Sequence, residues 1–277
     1  MSTLLLPKTK ESIMLELTSR TTNVMALADT IYKTKDYTLM PVLGDAIMDT
    51  NRDNEEIVAH CQGNHDHGEN CWALKMILGH KTQVPTWLDW RKVYHEYLNM
   101  GKEYDAEIEK LKPFLIGSCL KWQIPMIKGI IRNKIRDGYK KAGVRVYSYR
   151  GEDLDSLITE RDRDPKNGSY VVEVLATIEA DEKNKNQSAN QRKQQGCTDT
   201  NFTERFFLGL SCFATSKQHL DVDNVTLCPG SLWVDDADGD VAVVLFDADF
   251  QLMYVRWSHP VYRNPRWSPR SAEVSFS

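Results

Sequence analysis

The chain has 277 residues, of which 41% are hydrophobic and 27% are charged. This composition is typical of a folded globular protein and excludes an intrinsically disordered one. The formal net charge is −4 and the isoelectric point is about 6.0, so the overall charge does not favour nucleic acid or an anionic membrane as a partner.

The start of the chain, MSTLLLPKTKESI, and the cysteine content bear on the cellular compartment. Three leucines followed by charges are too short for the apolar core of a signal peptide, and no basic leader precedes them. No apolar run reaches the roughly 18 residues that a membrane-spanning helix requires. The six cysteines do not show the pattern of a disulfide framework. We therefore expect a cytoplasmic protein with reduced thiols and no transmembrane segment.

The first half of the chain is predicted to be helical, because apolar residues recur at roughly helical spacing. The segment 86–111 is expected to form one long helix or two that meet near Gly101. Gly143 is a suitable stop after the last helix. The predicted helical segments are 11–32, 41–49, 55–61, 71–80, 86–111 and 121–142.

Short segments rich in β-branched and aromatic residues dominate the second half, and turn-forming clusters separate them. Asp238 and Gly239 between two apolar runs predict a hairpin. Residues 181–200 contain almost no large apolar side chains and are predicted to form a mobile polar loop. The predicted strands are 144–149, 170–180, 232–234, 241–246 and 252–257.

These patterns predict an α+β fold with two domains. A helical domain is expected over residues 1–142. An antiparallel, sandwich-like, β-rich domain that contains the polar loop is expected over residues 143–277.

The segment HCQGNHDHGENC, residues 60–71, is the densest cluster of potential metal ligands in the chain. Neutral imidazole and thiolate are the preferred zinc ligands, which points to Cys61, Cys71 and either His65 or His67. His60 and Cys61 are adjacent at a helix end, so their side chains diverge by about 100° and are not expected to face one ion together. The segment also lacks the Cys-x2-4-Cys spacing with which most zinc knuckles begin.

Three interpretations of this segment remain open. In the first, Cys61 and Cys71 are small buried residues on two packed helices, and the histidines bond free backbone groups. In the second, Cys61, His67 and Cys71 bind a structural zinc ion, the one cofactor that the sequence suggests. In the third, the cluster is catalytic. We favour the first interpretation, in which the role of the segment is structural and not catalytic.

The stretch from about Leu39 to Lys81 resembles a short helical module of unknown function, which occurs in uncharacterised bacterial proteins near repeat-companion domains. The motifs LGDAIMD, His-Cys, His-x3-Cys-Trp and ILGHK stand in the order of that module. Asn51 and Lys75 depart from it, since the module often has cysteine and aspartate at those places. The resemblance implies no activity, and it sets His65 aside. It implies that one group of residues acts as a set: His60, Cys61, His67, Cys71 and Trp72.

Residues 121–150 form a second candidate site, a predicted basic helix and its flank with nine cations and one acid. Such a strip could lie on phosphates, on an anionic membrane surface or on an acidic partner. The alternative is a solvated helix face that packs against the acidic β-rich half. Tyr139, Tyr147 and Tyr149 supply the aromatic rings that nucleic-acid binders interleave with cations. The candidate binding residues are Lys128, Arg132, Arg136 and Lys140.

The closing segment WSHPVYRNPRWSPR is rich in tryptophan, arginine and proline. Trp257, Arg263 and Trp267 are candidate binding residues, because tryptophan and arginine are enriched at binding hot spots. The alternative is an extended strand and tail whose tryptophans cover the core.

Acidic residues of the second half could bind a cation. The turn DDADGD resembles the start of a calcium loop, but Phe246 stands where the closing glutamate is needed, so we interpret it as an ordinary hairpin turn. A metal nuclease site could be assembled from Asp153, Glu173 and Lys183, although charged residues of any β-rich domain allow such a construction.

The motifs of well-known catalytic sites are missing from the sequence, including Gly-x-Ser-x-Gly, the Walker loop, Gly-x-Gly-x-x-Gly and His-Glu-x-x-His. We therefore expect a non-enzymatic intracellular binding protein whose partner is a protein. A metal-dependent hydrolase or nuclease is the first alternative. A nucleic-acid binder that uses the basic helix 121–150 is the second.

Overall fold

Helices and strands both contribute to the described part of the chain, which confirms the α+β class. The computed structural model describes residues 23–49, 55–63, 67–68, 71–79, 87–115, 121–234 and 239–276. They belong to two compact units, Met1–Lys81 and Thr82–Ser277. Within the described ranges, no helix has the length and apolar content needed to cross a membrane.

The first unit is helical. Its helices are α1 (residues 23–34), α2 (Met40–Met48), α3 (Glu55–Gln62) and α4 (Trp72–Gly79). Val24, Ala28 and Ile31 recur on one face of α1 and are buried, as an amphipathic helix requires. Pro41 lies in the first turn of α2, where its missing N–H is not needed. The predicted helices 41–49, 55–61 and 71–80 are therefore confirmed, while residues 11–22 of the first predicted helix lie outside the described residues.

The second unit contains two sheets. The three-stranded sheet has the antiparallel order β1–β4–β9, and the six-stranded sheet has the order β2–β7–β6–β5–β3, with β8 also paired to β5. The pairs β2–β7 and β5–β8 are parallel, so the second sheet is mixed and not purely antiparallel. The strands are β1 (Lys121–Met126), β2 (Arg145–Ser148), β3 (Ile158–Glu160), β4 (Tyr170–Leu175), β5 (Val225–Trp233), β6 (Val241–Asp247), β7 (Leu252–Ser258), β8 (Trp267–Pro269) and β9 (Ala272–Phe276).

Helix α10 occupies the centre of the second unit. It contacts β1 of the three-stranded sheet and β5 and β6 of the six-stranded sheet. Both sheets therefore pack against a helix, whereas in the predicted sandwich two sheets would pack directly against each other. Asn201 caps its first turn together with Glu204 in a capping box. The helices of this unit are α5 (Trp87–Lys92), which continues as a π-helix (Val93–Tyr97), α6 (Gly101–Leu111), α7 (Arg132–Lys141), α8 (Leu154–Leu157), α9 (Ala189–Gln194) and α10 (Phe202–Ser216).

The two compact units divide between Lys81 and Thr82, whereas the sequence suggested a boundary near residue 142. The physical reason is the packing of α5 and the π-helix. The rings of Trp90 and Tyr94 lie 5.5 and 5.0 Å from the ring of Phe207 in α10. These aromatic residues belong to the same hydrophobic cluster as the strands, which we call the main core. The expected break near Gly101 is present, because the π-helix ends at Tyr97 and α6 begins at Gly101.

The predicted helix 121–142 is wrong over its first part, where β1 forms instead. Pro125 explains the difference, because it lacks an N–H and clashes with the preceding turn inside a helix. Gly129 then adopts a φ of 92°, a conformation that glycine takes at little cost, and the chain turns into α7. Apolar residues at 122, 124 and 126 are buried in the strand, a spacing that also fits part of a helical pattern.

The segment 181–200, predicted to be a mobile loop, contains regular structure and several buried polar side chains. It contains a short 3-10 helix (Glu182–Asn184) and α9, which Ser188 and Gln191 begin with a capping box. Arg192 is buried because it is paired: its Nη2 lies 2.5 Å from Asp199 Oδ1 and its Nη1 donates to Asn184 Oδ1 at 2.9 Å. Mutual pairing thus compensates the polar composition from which we predicted mobility.

Candidate functional site

Three side chains with metal-binding atoms converge in the first unit: His60, His67 and Cys71. One donor atom from each lies within 4.8 Å of the other two. His60 Nε2 is 3.1 Å from Cys71 Sγ, and His67 Nδ1 is 3.8 Å from the same sulfur. Ligands of a tetrahedral zinc ion are separated by roughly 3.5 Å, given Zn–N and Zn–S bonds of about 2.0 and 2.3 Å. The distances around Cys71 Sγ therefore match those of one coordination sphere.

The helix ends place these three residues together. His60 lies in the last turn of α3, and the N–H of Gly63 returns to the carbonyl of His60. Cys71 directly precedes α4, and its own N–H donates to the carbonyl of Gly68 at 2.9 Å. The rings of His60 and His67 meet edge to face, with centroids 5.0 Å apart. The cluster thus joins the end of one helix to the start of the next.

Cys61 faces a different neighbour from His60. Its side chain is fully buried against α2, where a Cβ added at Gly44 would lie 3.1 Å from the Cβ of Cys61. Burial, and secondly the nearby Cys71 thiol, raise the pKa of Cys61 to about 12. Cys61 is therefore a protonated thiol at neutral pH and a poor ligand as placed, since the thiolate is the ligand form.

The cluster differs from the predicted set in one member. The sequence pointed to Cys61, His67 and Cys71, and the structure brings His60 to His67 and Cys71. The adjacency argument holds, because only one of the neighbours His60 and Cys61 joins the group. His65 and the side chain of Trp72 lie outside the described residues.

The predicted basic helix does not present its cations as one strip. Arg132 is buried on α7, and its guanidinium lies 3.3 Å from Asp155, 3.5 Å from Glu160 and 3.4 Å from Asp164. Arg136 donates to the carbonyl of Glu152. Of the four candidate residues, Lys140 on the last turn of α7 and Lys128 in the turn before it are exposed.

Buried ion pairs around α10 were missed by the sequence analysis. Arg205 and Arg270 both reach the buried Asp221, at 2.7 and 3.1 Å. Burial pushes the pKa of Asp221 upward, but the two guanidiniums outweigh it and hold the pKa below its usual value. The only local signal is the capping-box pattern Asn201-x-x-Glu204, whose glutamate also lies 2.6 Å from Arg163. The other partners are distant in sequence.

The acidic residues proposed for cation binding have structural partners. Asp153 caps α8 and accepts from Asn133 Nδ2 at 2.7 Å, while Glu173 on β4 accepts from Gln123 Nε2 at 2.8 Å. Asp247 accepts two N–H groups of the following turn. Residues 235–238 of the DDADGD turn lie outside the described residues.

The two tryptophans of the closing segment lie in separate places. Trp257 on β7 packs on the main core, with its ring 5.6 Å from that of Trp233 and 4.6 Å from the Arg150 guanidinium. Trp267 on β8 contacts the ring of Tyr262 at 5.1 Å. Arg263 is exposed, and its Nε donates to the carbonyl of Asn186 at 2.8 Å.

Trp267 also borders a small groove on the six-stranded sheet. The groove has a volume of about 230 Å³. Its floor is apolar and includes Val225, Val243 and Leu245, while Arg256 and Arg266 stand at its rim. It is a second place, among the residues that the structure describes, where side chains suited to binding converge.

Comparison of the chain with protein-family models, with curated proteins and with solved structures finds no match.

Proposed function

We propose that the chain is an intracellular, non-enzymatic binding protein whose first unit is held together by one transition-metal ion, zinc in the first place. His60, His67 and Cys71 are the proposed ligands. The observation that carries the metal is the convergence of their three donor atoms within 4.8 Å. Imidazole and thiolate are ligands that suit zinc, whereas calcium and magnesium take oxygen.

A structural role fits the small size of the helices. Helices α3 and α4 have eight residues each, which is shorter than the length at which an isolated helix is stable in water. A metal that joins the end of α3 to the start of α4 contributes its binding free energy to folding. The likeness of residues 39–81 to a helical module without known activity agrees with such a role.

The binding role of the whole chain remains a proposal from the sequence, with a protein as the partner and the cytoplasm as the compartment. The five described cysteines are free, which agrees with a reducing compartment.

A metal-dependent hydrolase is the second candidate, and one observation favours it. Among the described residues the cluster supplies three ligands, and a zinc ion held by three protein side chains keeps a fourth position for water. A zinc ion bound there would lower the pKa of such a water and would thereby supply a nucleophile near neutral pH.

Metal content and thermal stability test the proposal. The full chain is expected to bind close to one zinc per molecule after reconstitution and desalting, as measured by elemental analysis. Cys71→Ala and His60→Gln should lose most of the metal and melt at a lower temperature. Cys61→Ala is the matched control, because it removes a neighbouring buried thiol that lies outside the ligand group, and it should keep the metal.

Cobalt reports the ligand type directly. The cobalt form should show the near-ultraviolet absorption of a thiolate–metal bond, which should vanish in Cys71→Ala and persist in Cys61→Ala. Equal zinc content in wild type and Cys71→Ala would refute the site. Hydrolysis of p-nitrophenyl acetate or of a labelled oligonucleotide by the zinc form, lost together with the metal in Cys71→Ala, would replace the structural role by the hydrolase.

A further inference from the structure

The six-stranded sheet has one face in the main core and an opposite face that is only partly covered. Met253 and Val255 of β7 and Val244 of β6 belong to the main core. Because side chains alternate along a strand, the residues between them point to the opposite side, which we call the outer face. There Val225 and Val243 pack with Ala189 of α9 in a second, smaller cluster.

An aromatic row crosses this outer face. Tyr147 on β2 pairs with Tyr254 on β7, and Tyr254 pairs with Leu245 on β6. The two tyrosine rings lie 5.6 Å apart. At the other end of the row, Trp267 on β8 pairs with Val225 on β5. With about 4.8 Å between neighbouring strands, the row from Tyr147 to Trp267 extends over roughly 19 Å.

Arginines accompany the row without carboxylate partners. Arg256 lines the groove and is exposed, and its guanidinium makes no hydrogen bond or ion pair with the described residues. Arg266 donates to the backbone carbonyl of Asp223 at 2.9 Å, and Arg145 donates to the carbonyl of Phe250 at 2.8 Å. Among the described residues, none of these three guanidiniums forms an ion pair with a carboxylate. The described residues that line the groove include two arginines and no aspartate or glutamate.

The groove is suited to one flat group. Its volume of about 230 Å³ is below the 300–1,000 Å³ that is usual for pockets of drug-sized ligands, so a whole nucleotide cofactor is not expected there. A single base that stacks on the half-exposed ring of Trp267 fits the apolar floor, and the arginines at the rim lie where a phosphate would follow.

We propose that the outer face of the six-stranded sheet binds single-stranded nucleic acid, with bases stacked on Tyr147, Tyr254 and Trp267 and phosphates near Arg145, Arg256 and Arg266. A sheet that combines stacking rings with cations binds single strands with little sequence preference. The acidic net charge does not oppose it, because binding depends on the local charge of the face. The proposal does not depend on the metal in the first unit.

Fluorescence anisotropy with labelled oligouridylate and oligothymidylate tests the proposal on the full chain. Saturable binding that weakens with salt is expected. Tyr254→Leu and Trp267→Leu should each weaken binding about tenfold, because stacking is lost while apolar bulk is kept. Arg256→Gln should lower the steepness of the salt dependence by about one unit of slope.

The matched controls separate this face from the rest of the surface. Tyr149 is an exposed tyrosine whose ring contacts Trp257 outside the row, so Tyr149→Leu should leave binding unchanged. Lys128→Gln and Lys140→Gln test α7 and its preceding turn. Circular dichroism confirms that each variant is folded, and if Trp267→Leu is not, Tyr254→Leu and Arg256→Gln decide.

Three results would overturn the proposal. The first is the absence of salt-sensitive binding to either oligonucleotide. The second is binding that is lost in the two lysine variants and kept in Tyr254→Leu and Arg256→Gln, which would assign it to α7. The third is displacement by oligoglutamate at equal concentration, which would show that the face selects an acidic peptide and not stacked bases.

Discussion

Neighbouring residues on a helix point in directions about 100° apart, and this divergence separates the roles of His60 and Cys61. His60 turns to the cluster with Cys71, while Cys61 turns to α2 and is fully buried. Adjacency was enough to predict that only one of them joins a metal site. Which of the two residues joins the cluster depends on the side of α3 against which α2 packs, and only the tertiary structure determines that side.

Thiol labelling tests the burial of individual cysteines. In the folded protein, iodoacetamide near neutral pH should label Cys197 first, because it is only half-buried. Cys61 should stay protected, since burial excludes the reagent and raises the pKa of the thiol to about 12, which leaves almost no thiolate. Cys228 should behave in the same way, because burial raises its pKa well above the usual value. Mass spectrometry after timed quenching measures the order.

Cys119 lies outside the described residues, so the comparison concerns the other five cysteines. Labelling of Cys61 as fast as that of Cys197 would contradict its placement. Labelling in urea should remove the difference between them.

At the scale of elements, α7 shows why a run of cations in the sequence need not be a binding surface. The helix has basic residues at several positions, but Arg132 faces inward and lies within 3.5 Å of three carboxyl groups. These acids come from α8, from β3 and from the chain that follows β3. The cations of α7 therefore comprise the buried Arg132, the half-buried Lys134 and Arg136, and the exposed Lys140 and Lys141.

Substitutions on α7 measure this difference. Arg132→Met should lower the free energy of unfolding by about 3–5 kcal/mol, because it leaves Asp155, Glu160 and Asp164 without their common cation in a buried place. Lys140→Met on the same helix should change it by no more than about 0.5 kcal/mol, since Lys140 is exposed. Urea unfolding followed by circular dichroism gives both values. Equal effects of the two substitutions would show that the Arg132 contacts do not contribute to stability.

At the scale of the whole molecule, the chain consists of two compact units, and only the first contains the His60–His67–Cys71 cluster. The main core belongs to the second unit and contains none of these residues. A ligand that binds one folded unit stabilises that unit by mass action, by about 4 kcal/mol at a thousand times its Kd. A metal ion in the first unit should therefore act on the first unit alone.

Calorimetry of the full chain tests this consequence. Removal of zinc by a chelator should lower the midpoint of the transition with the smaller enthalpy, which belongs to the shorter unit. The larger transition should not move. Cys71→Ala should show the lower midpoint with and without the chelator. A shift of both transitions by the same amount would mean that the metal stabilises the chain as a whole.

Local patterns in the sequence determined several elements of this protein. Apolar spacing identified α2, α3 and α4, and β-branched and aromatic runs identified β2, β4, β6 and β7. These predictions succeeded because the buried face of a helix or strand requires apolar residues at a spacing of 3.6 or 2, and that spacing is visible in the local sequence. The same patterns missed β1 and β8, which contain proline, β3, which has three residues, and β9.

The tertiary structure decided what the local pattern does not encode, namely which faces meet. Asp221 meets both Arg205 and Arg270, and Tyr254 meets Tyr147, only because segments distant in the chain lie side by side. Residues 181–200 look like a mobile loop by composition, but their buried Arg192 pairs with Asp199 and donates to Ser271, which lies between the two closing strands. The cluster of His60, His67 and Cys71 was predicted in part from the sequence and decided in part by the tertiary structure. Its residue types were visible in the sequence, and its membership was fixed by the direction in which α3 buries its apolar side.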